Sequence, residues 1–191
     1  MHTYTYELKL IITLKTQSTC QLNDEVIDDI TDELMSFDSE YDVVVEQYRN
    51  ALSASFIVDK NELYNSCIKK IKLVESLQCY NLEVISIDSP SYVNLSESAT
   101  AAGLTKSAIS NFYQGIRGDG NFPSPSMKIS NKNPLWFWSD ISKWLVENGK
   151  MTKADLDTAR IIHSLNLALQ IRRTSSLSEV QDAFTCIMKD A

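Results

Sequence analysis

The chain has 191 residues, 43% of them apolar and 23% charged, a composition that builds packed cores and excludes a disordered polymer. It holds no run of about 18 apolar residues, so no membrane-spanning helix is expected. Met1 to Lys15 lacks the basic and continuous apolar regions of a signal peptide, and a cytoplasmic location is expected. The net charge of -7 is uneven: residues 1–90 hold 16 acidic against 7 basic residues, 91–150 hold 4 against 6, and 151–191 hold 5 of each.

The first 88 residues read as β-α-β-β-α-β. Tyr4, Tyr6, Leu8, Leu10, Ile12 and Leu14 recur with period two, as on one face of a strand. Asn23 is a helix cap, followed by Asp24 and Glu25 in the first turn and by Val26, Ile30 and Leu34 on one side. Tyr41 to Val45 is expected as a short strand, with a turn over Gln47 to Asn50. A further strand follows through Leu52, Ala54, Phe56 and Val58. Asp59 and Glu62 have the spacing of a capping box, and Leu63, Cys67, Ile71 and Val74 form a helical stripe. Leu82 to Ile87 supplies the fourth strand. Two crossover helices on four antiparallel strands make a split β-α-β, or ferredoxin-like, domain over residues 1–89. Its excess of acid makes it a candidate surface for a protein partner.

Ser89-Pro90-Ser91 marks a boundary. From Glu97 to Tyr113 the spacing fits two short helices joined by a tight turn. Ala99 is small where the helices approach, Gly103 sits where the chain needs a positive φ, and Leu104 plugs the turn. Thr105 caps the second helix, expected over residues 105–115, and Ile109 and Phe112 turn inward. Lys106, Ser107, Ser110, Asn111 and Gln114 are left outward, a short polar face suited to a DNA major groove. Lys106 opposes the helix dipole at a cost of about 0.3–1 kcal/mol, which a nearby phosphate relieves. Asn111 and Gln114 can each pair with adenine for about 1–3 kcal/mol of discrimination. Met127 to Trp138 reads as a β-hairpin, with Met127 and Ile129 on an apolar strand, a polar turn from Ser130 to Pro134, and Trp136 and Trp138 on an aromatic strand. Ser139 is expected to cap a helix that turns Ile141, Trp144 and Leu145 inward.

The order of helix, Gly turn, helix, F-P-x-P, hairpin, aromatic strand, S-D and a helix ending in W-L resembles the AlpA/excisionase branch of the MerR-like winged helix-turn-helix superfamily. The likeness spans residues 92–149. It is carried by Ala99, Gly103, Ile109, Gly120, Phe122, Pro123, Pro125, Trp138, Ser139, Asp140, Trp144 and Leu145. The resemblance implies a recognition helix in the major groove and a hairpin wing, residues 127–138, on the backbone or minor groove. Where the family carries several Arg, this chain has Lys106, Arg117, Lys128 and Lys132, and its segment Ile116 to Gly120 is longer than usual. Arg117, Lys128 and Lys132 are expected on phosphates, and Asn131 belongs to the same wing.

Beyond Lys150 the pattern is helical. Thr152-x-x-Asp155 begins one helix, with Leu156, Ile162, Leu165 and Leu169, and Ser176-x-x-Glu179 begins another, with Val180, Phe184 and Ile187. Residues 151–191 are expected as a helical hairpin and a dimerisation element.

The expected class is therefore α+β: a ferredoxin-like domain (1–89), a winged helix-turn-helix (91–150) and a C-terminal helical extension. The expected function is sequence-specific binding of double-stranded DNA by a homo-oligomeric transcriptional regulator. The alternatives are an excision factor, or a partner-binding or sensor protein acting through the acidic domain. No enzyme activity is expected. His2 and His163 stand apart, the four cysteines form no C-x-x-C pair, and Asp28/Asp29 with Asp32/Glu33 lie on a solvated helical face. No cofactor and no metal are expected.

Overall fold

A computed structural model describes residues 5–15, 22–37, 42–49, 51–130, 133–174 and 176–189. The period-two run at the start of the chain forms strand β1 (Thr5–Leu14), followed by helix α1 (Asp24–Phe37). Asn23 caps that helix, its Oδ1 accepting from the Val26 N–H at 2.9 Å. Strands β2 (Val44–Tyr48) and β3 (Ala51–Asp59) then form a hairpin, helix α2 (Leu63–Ser76) follows, and β4 (Leu82–Ile87) completes an antiparallel sheet of order β2-β3-β1-β4. The side-chain period of two places Leu8 opposite Phe56 and Leu10 opposite Ala54 across β1 and β3. These residues are buried with Ile30 and Leu34 of α1 and with Leu63, Cys67, Ile71 and Val74 of α2, the stripes that the helical spacing marks. The class is α+β.

The edge of this sheet at β4 is closed by side chains. Glu75 accepts from the Val84 N–H at 2.9 Å, and Arg172 donates to the Val84 carbonyl and to both carboxylate oxygens of Glu75. The Asn166 amide occupies Ile87 completely, accepting from its N–H at 2.7 Å and donating to its carbonyl at 3.0 Å. These groups do for the outer strand what another strand would do, and they block edge pairing there. Asn166 and Arg172 belong to helix α6 (Lys153–Arg172), which is followed by α7 (Leu177–Lys189).

The chain divides into two compact units, one reaching Asp88 and resuming at Ser164, the other running from Ser89 to His163. The second contains β5 (Tyr92–Val93), α3 (Leu95–Ala102), α4 (Lys106–Tyr113), β6 (Trp136–Phe137), α5 (Trp138–Glu147) and the first half of α6. Residues 151–191 are thus divided between the two units, the boundary falling within α6. The polar contacts of Asn166 and Arg172 tie the second half of α6 to β4.

Several local expectations shift. The strand expected at 41–45, of which Tyr41 lies outside the described residues, is Val44–Tyr48: Tyr48 pairs with Ala51, and Arg49 follows at φ 55°. Among the described residues the expected hairpin across Met127 to Trp138 is reduced to one bridge, Met127 to Leu135. Lys128 at φ 53° leaves the extended conformation, Pro134 has no N–H for a ladder, and Met127 and Ile129 are exposed. Trp136 and Phe137 pair instead with Val93 and Tyr92, where the Tyr92 and Phe137 rings lie 4.8 Å apart. Trp138 begins α5 rather than ending a strand, so Ser139 falls inside the first turn and does not cap it. The stripe on α7 is not buried. No described helix is long and apolar enough to cross a membrane.

Replacing Asn166 by Leu removes two hydrogen bonds from a buried site and strands both backbone groups of Ile87. The expected loss is about 1–3 kcal/mol for each unsatisfied group, read as a lower denaturant midpoint. An unchanged midpoint would show that solvent satisfies Ile87 without this side chain.

Candidate nucleic-acid interface

The pair α3 and α4 is set by its termini. Asn94 caps α3, its side chain accepting from the N–H groups of Ser96 and Glu97, while Glu97 accepts from the Asn94 N–H at 2.7 Å. This reciprocal box satisfies the first turn of an eight-residue helix that otherwise frays. Gly103 ends α3 at φ 62°, with the Leu104 N–H bonded to the Ala99 carbonyl and the Gly103 N–H to that of Thr100. No atom lies within 4 Å of a Cβ built there, so the backbone conformation alone calls for glycine. Thr105 then caps α4 by accepting from the Ala108 N–H at 3.2 Å.

Helix α4 is seated on an aromatic core. Ile109 is fully buried with Val93, Ala99, Trp136, Ile141, Trp144 and Leu145. Phe112 meets the Trp144 ring edge-on at 5.0 Å, Tyr113 meets Trp136 at 5.1 Å, and Phe122 touches both tryptophans. The indoles are also fixed by their polar ends: Trp136 Nε1 donates to the Pro123 carbonyl at 2.8 Å, and Trp144 Nε1 to Asn121 Oδ1 at 3.2 Å. Trp136 and Trp144 are core, and Trp138 is partly buried against the same cluster.

Lys106, Ser107 and Asn111 stand exposed on the other side of α4, with Ser110 half-buried between them. Lys106 sits between two clefts. One, of about 330 Å³, is lined by Asn94, Leu95, Ser96, Lys106, Lys128, Asn133, Pro134 and Leu135. The other, of about 390 Å³, runs along α4 past Leu95, Ser107, Ser110 and Asn111. Among the described residues no carboxylate lines either one. The first is a polar concavity with two ammonium groups in its lining, whereas the Glu97 carboxylate is turned onto the Asn94 N–H, and such a lining favours an anion.

The expected residues are not all equally available. Thr105 is engaged as the cap, and Gln114 closes α4 with its amide 3.3 Å from the Ser110 hydroxyl. The helix ends at Tyr113, short of the expected 115. Arg117 lies with its guanidinium 5.0 Å from the centre of the Phe112 ring, a cation–π contact that holds it against the module. Asn131 and Lys132 lie outside the described residues, as do His2 and Cys20. Asn94, Ser96 and Asn133 enter the cleft without having been expected there. The signal for the first was legible, since Asn94 and Glu97 have capping-box spacing, whereas the approach of residue 133 depends on how the segment after Lys128 turns.

Among the described residues no group of three or more His, Cys, Asp or Glu side chains is placed to hold a metal ion. Burial pushes the Cys67 thiol up to about 12, so it is not ionised at neutral pH. His163 packs its ring on Phe137 at 5.6 Å. No family model, curated protein or solved structure matches the chain.

The segment that closes over Phe112 makes a further test of this seat. Gly118 has φ 80°, and a Cβ there meets the Phe112 ring at 2.9 Å, so Gly118→Ala adds a clash to the backbone penalty that Gly103→Ala carries alone. Thermal melts should rank Gly118→Ala below Gly103→Ala and both below the wild type. The reverse order would show that the 115–120 segment does not bear on α4.

Proposed function

We propose that the chain is a sequence-specific double-stranded DNA-binding protein, a transcriptional regulator that reads DNA with the outward face of α4. The observation that carries this reading is the pair of clefts meeting at Lys106. Among the described residues neither is lined by a carboxylate, and they lie beside a helix whose inward side is locked by aromatic rings. A rigid helix with short polar side chains fits a major groove, where Ser107 and Asn111 are free to meet base edges. Lys106 and Lys128 are suited to phosphates, which position a protein without reading sequence. Gln114 has to exchange its bond with Ser110 before it can take part, so Asn111 is the stronger candidate for adenine.

In this reading residues 92–149 form the winged helix-turn-helix whose AlpA/excisionase and MerR-like resemblance the sequence carries. The bridge between Met127 and Leu135 is the base of a short wing. The order β2-β3-β1-β4 with two crossover helices supports a ferredoxin-like assignment for the first unit. Its acidic surface, with Asp28, Asp29 and Asp32 exposed on α1, suits a protein partner better than DNA. A cytoplasmic location accords with the free thiols of Cys67, Cys79 and Cys186. The reading assigns the chain no catalytic role.

The test is binding to a duplex enriched by the protein, followed by fluorescence anisotropy. Asn111→Ala should lose discrimination worth about 1–3 kcal/mol between that duplex and a scrambled one. Lys128→Ala should weaken binding to both alike and reduce the salt slope by about 1. Neither should shift the melting temperature, because both side chains are exposed. Wild-type binding by both variants would remove α4 and the adjoining cleft from the DNA contact.

A further inference from the structure

Lys106 and Leu95 line both clefts beside α4. The lysine has a role in the reading above, and the leucine has none. Leu95 is the first residue of α3, held in place by the reciprocal cap of Asn94 and Glu97. It packs against the cluster that contains Val93, Ile109 and Trp136, yet it is only half-buried and its remaining surface lines the clefts. Exposed leucines are common on protein surfaces, so the setting matters more than the exposure. In the cleft of about 390 Å³ the other described lining residues are Lys106, Ser107, Ser110 and Asn111. Among the described residues Leu95 is therefore its single apolar side chain.

We propose that Leu95 is a specificity-determining residue that receives the C5-methyl group of a thymine beside the adenine that Asn111 reads. The inference rests on the DNA-binding reading and adds to it the base that the second cleft selects. In a major groove adenine offers N7 and its N6 amino group, while thymine offers O4 and the methyl. The lining of the cleft answers each of these. The Asn111 amide both donates and accepts, matching N7 and the amino group. The Ser107 hydroxyl can donate to O4, and Leu95 supplies the apolar surface that a methyl needs. A G·C pair brings no methyl into the groove, so the leucine gains nothing from it. The side chain is also anchored before any DNA arrives, by the core on one side and by the cap at the start of α3. Little rotamer freedom is then lost when a methyl meets it.

The test uses the full chain and the duplex that it enriches, with each thymine in turn replaced by deoxyuridine, which lacks only the methyl. Wild-type affinity, read by fluorescence anisotropy, should fall about fourfold at one thymine per bound subunit. That thymine should lie within one base step of the adenine whose replacement by 7-deazaadenine weakens the wild type but not Asn111→Ala. For Leu95→Ala the thymine and deoxyuridine duplexes should bind alike. This comparison is made within one variant below its melt, so any stability lost with the packing of Leu95 cancels. 5-Bromodeoxyuridine, whose bromine fills the space of the methyl, should restore wild-type binding. Unchanged wild-type binding to every deoxyuridine duplex overturns the inference while the DNA reading stands. So does a deoxyuridine penalty that Leu95→Ala still shows. A protein that binds no duplex removes both the inference and the reading beneath it.

Discussion

The packing of α4 on Trp136, Phe122 and Trp144 is the constraint from which the proposed site follows. Eight residues cannot sustain a helix in water, and the caps at Thr105 and Gln114 satisfy only its ends. Ile109 supplies burial, while the edge-on contacts of Phe112 and Tyr113 fix the rotation of the helix about its own axis. Aromatic pairs of this kind contribute about 0.5–1.5 kcal/mol each beyond their buried area. The indole hydrogen bonds to Pro123 and Asn121 hold the rings in turn. Once the inward face is so determined, the outward set of Lys106, Ser107, Ser110 and Asn111 is determined too.

The electrostatics of that outward set depends on its immediate lining rather than on the total of the chain. At physiological ionic strength surface charges act over about 8 Å, so the -7 overall charge says little about a cleft that, among the described residues, is lined by two lysines and no carboxylate. Lys106 stands in the first turn of α4, where the helix dipole disfavours it, and Lys128 takes a left-handed φ that a lysine rarely adopts. Both conflicts point toward one surface. An anion seated there relieves the first directly, and the second is the backbone conformation that carries Lys128 to the cleft.

The features legible in the sequence are those that local physics sets. Alternation along β1 and β3, the stripes of α1 and α2, the glycine turn at Gly103 and the inward aspect of Ile109 each follow from a repeat or a cap within a few residues. The features missed depend on partners far along the chain. Nothing near Trp136 says that it pairs with Val93 rather than Met127, and nothing near Asn166 says that it closes Ile87, 79 positions earlier. Apolar periodicity in 151–191 looks alike in both helices. Yet Leu165 and Leu169 are buried while Phe184 and Ile187 are exposed, and it is α6 that carries the polar contacts of Asn166 and Arg172 to β4. The exposed side of α4 was readable, and the cleft beside it was not, since Asn94 and Lys128 meet there through the turn at Lys128.

Selection of duplexes from a random pool by the purified full chain, followed by footprinting, addresses the central claim most directly. The account predicts enrichment of a common sequence, protection of its major groove, and loss of that enrichment when Asn111 is replaced by Ala. A pool that emerges as random as it entered, at low salt and high protein concentration, would contradict it.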